Sequence, residues 1–138
     1  MPDHTLPLSK VSSSPVILVV DDSQPMRAAL CDLMELSYPT SAILQAESAE
    51  QALQMVASQA PDLVLMDIAL PGMDGLTCLA EILCLYPHTC SVVISYHEEQ
   101  PYHQKALDAG ADAYVVKRRL YIDLMPAINT LLKEKMTR

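Results

Sequence analysis

Glycine is scarce in this chain of 138 residues: there are three, Gly72, Gly75 and Gly110. Each sits where a turn or a helix cap needs it. A dinucleotide site requires G-x-G-x-x-G after the first strand, and a P-loop requires G-x-x-x-x-G-K-[ST]. Neither can be assembled from three scattered glycines, so nucleotide-binding folds with a backbone phosphate cradle are excluded. Long apolar runs are also missing. None approaches the roughly 20 residues that span a bilayer, and the polar, Pro- and Ser-bearing start from Met1 to Ser14 has no apolar block of a signal peptide. No membrane association is expected, and cytoplasm is the default location. Basic residues are few, nine Lys and Arg against 17 Asp and Glu, for a net charge of −8. That balance argues against a nucleic-acid surface, because phosphate contacts need clustered Lys and Arg. Cys31, Cys78, Cys84 and Cys90 make no C-x-x-C pair, so buried or half-buried free thiols are expected and a structural zinc site is not. The four histidines (His4, His88, His97, His103) are scattered and read as surface residues.

What is present is a regular alternation. Val16 to Asp21, Ser41 to Ala46, Asp62 to Asp67, Ser91 to Ser95 and Ala111 to Val116 read as strands. The first and third are apolar runs without alternation, as in parallel strands covered on both faces. Between and after the strands lie helical patterns at about 24–36, from Ala49 through Leu53 and Val56, and at 75–85, 101–109 and 123–133. Ser48 and Asp74 are placed to cap two of these, Gly110 to stop a third, and Pro126 to fall in the first turn of the last. Five strands alternating with five helices specify an α/β, doubly wound, five-stranded parallel sheet. The order 2-1-3-4-5 sets the first and third strands side by side. The expected organisation is a flexible leader over 1–14 and one domain over 15–138, with no DNA-binding domain expected within the sequence, whether the module is free-standing or part of a longer regulator.

That order converges three acids. The first strand ends on Asp21 and Asp22, and the third on Asp67, followed at once by a Pro71-Gly72 turn. Three like charges at the carboxyl edge of one sheet repel unless a cation joins them. A metal-linked aspartate is a nucleophile toward phosphoryl groups, forming an acyl phosphate. The reaction needs Mg²⁺ on the carboxylates and donors around the phosphoryl oxygens. Ser95 and Lys117, at the ends of the fourth and fifth strands, suit the second role. Taken singly, the serine is an ordinary turn residue and the lysine a solvated one; together the four furnished strand ends form a site.

Asp21-Asp22, Asp67 with its sequel Leu70-Pro71-Gly72-Met73-Asp74-Gly75, Ser95, and Gly110-Ala111-Asp112-Ala113-Tyr114-Val115-Val116-Lys117 resemble the receiver domain of bacterial two-component response regulators, over about residues 15–134. The resemblance implies a CheY-like fold and a phosphoacceptor signalling domain rather than an enzyme. By it, Asp67 accepts a phosphoryl group from the phosphohistidine of a sensor histidine kinase or a histidine phosphotransfer protein. Asp21 or Asp22, with Asp67 and the Ala69 backbone carbonyl, would hold Mg²⁺. Ser95 stands at the switch Ser/Thr position, and Tyr114 at that of the aromatic that turns inward on activation. The alternative for Tyr114 is a half-buried strand tyrosine that never switches. The surface over residues 101–134 is the implied contact for a second copy or an output partner.

Four residues depart from the family pattern. Arg118 follows Lys117 where most receivers have a proline in a cis bond; a non-proline cis bond costs roughly 3 kcal/mol, so a trans bond and a shifted loop are expected. Tyr96 follows Ser95 where a small residue is usual. Ala69 and His97 stand at positions that influence dephosphorylation in the family; alanine offers no group to orient water, and His97 is a weak candidate. Lys117-Arg118-Arg119, with Leu120 and Tyr121, is the main basic cluster. The competing functional class is a receiver-like scaffold that binds partners without phosphotransfer. A haloacid-dehalogenase-type phosphatase is disfavoured because it wants D-x-D after the first strand, and Ser23 and Gln24 stand where the second acid would fall.

Overall fold

The computed structural model describes residues 14–136; of the expected leader over 1–14, all but Ser14 lies outside them. The strands are β1 (Val16–Val20), β2 (Ala42–Ala46), β3 (Leu63–Asp67), β4 (Cys90–Ser95) and β5 (Ala113–Val116). The helices are α1 (Gln24–Ser37), α2 (Ala49–Ser58), α3 (Gly75–Leu85), α4 (Gln100–Asp108) and α5 (Leu120–Met136). The strands form one parallel sheet in the order β2-β1-β3-β4-β5, as the alternation implied.

Side chains alternate across the sheet, and each parity feeds its own core. Ile17, Val19, Leu63, Leu65, Val92 and Ile94 pack against α1 and α5 through Leu30, Met34, Leu124 and Ile128. Leu18, Val20, Val64, Met66 and Val93 pack on the other face against α2, α3 and α4, through Ala52, Val56, Leu79, Ile82 and Ala106. β3 is buried along its whole length, which explains why its apolar run shows no alternation. Each large aliphatic chain removed from water here contributes about 2 kcal/mol.

Three helix starts are capped as side-chain chemistry dictates. Ser23 Oγ accepts from Met26 N–H, Ser48 Oγ from Gln51 N–H, and Asp74 Oδ1 from Thr77 N–H. Gly75 opens α3 directly beneath the site. A Cβ there would stand 2.2 Å from the Asp67 carbonyl oxygen and 2.7 Å from Ile68 Cα, so only glycine lets the helix approach the end of β3.

Two expectations are corrected. α5 starts at Leu120 rather than near residue 123, so Pro126 lies inside the helix and not in its first turn. The reason is the stripe Leu120, Leu124 and Ile128, buried at helical spacing, which draws the helix back to the end of β5. Pro126 leaves the Ile122 carbonyl without its helical donor, and both residues are exposed. Cys84 is exposed, whereas Cys31, Cys78 and Cys90 are buried, and none of the four is in a disulfide. Among the described residues no peptide bond is cis. Lys117–Arg119 forms a 3₁₀ turn that runs straight into α5.

Candidate functional site

The sheet register assembles the site. β1 pairs with β3 from Ile17 opposite Leu63 to Val20 opposite Met66, so the next residues in line are Asp21 and Asp67. Asp67 pairs with Ile94, one residue before Ser95, and Ser95 pairs with Val116, one residue before Lys117. The four strand ends therefore meet at one carboxyl edge, where open α/β sheets place their ligands.

Asp21 and Asp67 are 1% and 4% exposed, whereas Asp22 is exposed. One carboxylate oxygen from each of Asp21, Asp22 and Asp67 lies within 4.8 Å of the other two, close enough to share one cation. Backbone donors fix the buried pair: Asp21 Oδ1 accepts from Ser23 N–H at 2.8 Å, and Asp67 Oδ1 from Ala69 N–H at 3.0 Å. Their other oxygens face Lys117, whose Nζ is 3.3 Å from Asp21 Oδ2 and 3.4 Å from Asp67 Oδ2. The trans bond at Arg118 thus leaves Lys117 able to reach the site. Burial holds the Asp21 carboxyl above its ordinary 3.8; the Ser23 N–H draws it down, the Asp67 charge pushes it up, and Lys117 lowers it. One ammonium against three carboxylates leaves the crevice negative. Hard oxygen donors around residual negative charge fit Mg²⁺, and the Lys117 ammonium already lies between two of them.

Tyr96 roofs the lysine. Its ring centroid is 4.5 Å from Lys117 Nζ, within cation–π range, and the tyrosine is 71% exposed while the lysine side chain is 5% exposed. The aromatic thus takes the water-facing side of the ammonium.

Ser95 is buried at the end of β4, and its Oγ accepts from His97 N–H at 3.0 Å. Among the described hydrogen bonds, none joins Ser95 to Asp67. Tyr114 is half-buried; its hydroxyl donates to the His97 carbonyl at 2.8 Å, and its ring stacks on His103. Burial is the main influence raising the Tyr114 phenol above 10.0, while the Ser95 hydroxyl lowers it. His97 itself is engaged with α4. Its ring lies parallel to Tyr102 at 3.9 Å, and Nδ1 is 3.6 Å from Glu99. Arg118 makes a bidentate pair with Glu98, at 3.0 and 2.8 Å, bridging the loop after β4 to the loop after β5.

Arg27 escaped the sequence reading. Its Nη1 donates to the Asp21 main-chain carbonyl at 2.8 Å. The available signal was a basic residue one helical turn into α1, directly after the acid pair.

Comparison with known proteins identifies one family. The family model "Response regulator receiver domain" matches residues 17–129. Response regulator GacA of Pseudomonas viridiflava is 31% identical over 112 residues, 81% of this chain and 52% of that protein. The chain thus spans about half the length of that relative. Chemotaxis protein CheY of Bacillus subtilis is 34% identical over 116 residues, 84% of this chain and 96% of that one. Among solved structures, a CheY-like response regulator receiver domain protein from Methanospirillum hungatei superposes with a TM-score of 0.82 at 27% identity, covering 91% of this chain and 98% of its own.

Proposed function

The chain belongs to the response regulator receiver domain family of two-component signalling, and on that footing we propose that Asp67 accepts a phosphoryl group from the phosphohistidine of a sensor histidine kinase or a histidine phosphotransfer protein. The observation that carries the proposal is the buried Asp67 carboxylate beside Asp21, with Lys117 Nζ 3.4 Å from its Oδ2. Burying one acid beside two others costs desolvation and like-charge repulsion, which the single Lys117 ammonium offsets only in part.

Asp21, Asp22 and Asp67, with the Ala69 carbonyl, are the groups that would hold Mg²⁺, which supplies charge neutralisation for an incoming phosphoryl group. The chain's own residues do the rest. Asp67 attacks phosphorus in line while the histidine nitrogen leaves, so one P–N bond breaks as one P–O bond forms. Lys117 moves from bridging two carboxylates to countering the new phosphoryl charge. Ser95 leaves the His97 N–H and donates to a phosphoryl oxygen. The Tyr114 ring follows Ser95, and the face made by α4, β5 and α5 changes shape for a second copy or an output partner. Such a change produces signalling only where the two states differ in partner affinity.

Family membership makes the domain a signalling module; neither the kinase nor the output is named by it. A scaffold working without phosphotransfer has no use for Lys117 buried between two carboxylates. The test is intact-mass measurement after incubation with Mg²⁺ and a panel of phosphorylated histidine kinases, beside a working control receiver. One added phosphoryl group is expected from at least one donor. No gain from any donor counts for the scaffold reading.

A further inference from the structure

The turn that carries Asp21 and Asp22 leaves the sheet at a point where the backbone runs out of partners. The parallel ladders of β1 end at Val20, opposite Ala46 on one side and Met66 on the other. Beyond them the Asp21 N–H still finds the Ala46 carbonyl, at 3.1 Å. The Asp21 carbonyl lies past both ladders, and Pro25, in the first turn of α1, offers no N–H to meet it. A main-chain carbonyl beside a buried residue needs a donor. It receives one from a side chain: Arg27 Nη1, at 2.8 Å from a half-buried arginine on α1.

Four contacts thus hold Asp21: the Ala46 carbonyl on its N–H, the Ser23 N–H on Oδ1, Lys117 on Oδ2 and Arg27 on its carbonyl. Of these, only the Arg27 contact holds the peptide that joins Asp21 to Asp22. That peptide sets the directions in which the two carboxylates leave the backbone. We propose that Arg27 is a positioning residue for the cation site: it clamps the Asp21–Asp22 peptide so that both carboxylates face Asp67. The inference rests on the Mg²⁺ reading above and adds to it a residue that touches neither the cation nor the phosphoryl group.

The clamp and the bare charge of Arg27 make opposite demands. A positive charge beside three carboxylates repels a divalent cation, so its removal alone tightens Mg²⁺ binding. Loss of a clamp loosens it. Outer-shell partners of metal sites typically account for tenfold or more in affinity. In calorimetric titration of the chain with MgCl₂, Arg27→Met is therefore expected to bind about tenfold more weakly than wild type. Arg27→Lys, which keeps the charge and a donor but not the planar fork, is expected to fall between them. Equal or tighter binding by Arg27→Met overturns the proposal.

Amide hydrogen exchange without metal gives a second readout. The Asp21 and Ser23 amides are expected to exchange faster in Arg27→Met while those in the middle of β1 do not change. Unchanged exchange at Asp21 and Ser23 also overturns the clamp. Failure of the wild-type chain to bind Mg²⁺ overturns the metal reading instead, and exchange alone then decides the clamp.

Discussion

The Tyr114 hydroxyl donates to the His97 main-chain carbonyl at 2.8 Å, tying β5 to the loop that carries Tyr96 and follows Ser95. Ser95 Oγ accepts from the N–H of the same His97, so both proposed switch residues share one anchor. Tyr114→Phe removes the tie and is expected to lower stability by about 1 kcal/mol, the usual worth of one hydrogen bond. Chemical denaturation measures it.

The same phenol has a pH signature. Burial raises it above 10.0 in the folded chain. The folded state therefore keeps a proton that the unfolded state has already lost, and stability present below pH 10 falls as pH rises through the folded value. In ring-labelled NMR titration Tyr114 is expected to deprotonate only above the ordinary tyrosine value of 10.0. Tyr114→Phe is expected to flatten the alkaline decline in stability.

Lys117 is the cation common to Asp21 and Asp67. Lys117→Met leaves two buried carboxylates facing each other. In metal-free buffer a loss of about 2 kcal/mol is expected, since an uncompensated buried charge is costly. The phosphotransfer rate is expected to fall about 100-fold, the usual cost of losing a donor to developing negative charge. Melting curves and single-turnover phosphotransfer measure the two effects separately.

Tyr96 covers the lysine from the solvent side. If the ring acts as a cover, Tyr96→Ala speeds both hydrolysis of the phosphorylated chain and phosphorylation by small acyl phosphates. The change is expected to be roughly threefold, in line with one exposed cation–π contact. Tyr96→Phe keeps the ring and is expected to match wild type. Decay of the phosphorylated chain, followed by mass, distinguishes them. His97 is engaged with Tyr102 and Glu99, and Ala69 has no polar side chain, so neither flanking side chain is free to orient an attacking water.

The strand order and the three acids were legible because each rests on local pattern: buried runs ending on carboxylates, and capped helices between them. Lys117 and Ser95 followed once the strands were in order, since a parallel register turns strand ends into neighbours. Arg27 was missed because its one signal, a basic residue one turn into the helix after the acid pair, does not reveal a bond to a backbone carbonyl. The pairing of Arg118 with Glu98 was equally hidden, joining two loops 20 residues apart. Pro126 misled for a different reason. Its propensity argued for a helix start, but burial of Leu120 outweighed the loss of one helical hydrogen bond.

The location of the phosphoryl group tests the central claim most directly. An acyl phosphate is reduced by borohydride to an alcohol, which converts a phosphorylated aspartate to homoserine and marks it permanently. Peptide mass mapping of the phosphorylated, reduced chain is expected to find homoserine at position 67, and none in Asp67→Asn treated alike. Homoserine at Asp21 or Asp22 instead, or a phosphoryl group that persists in Asp67→Asn, would contradict it.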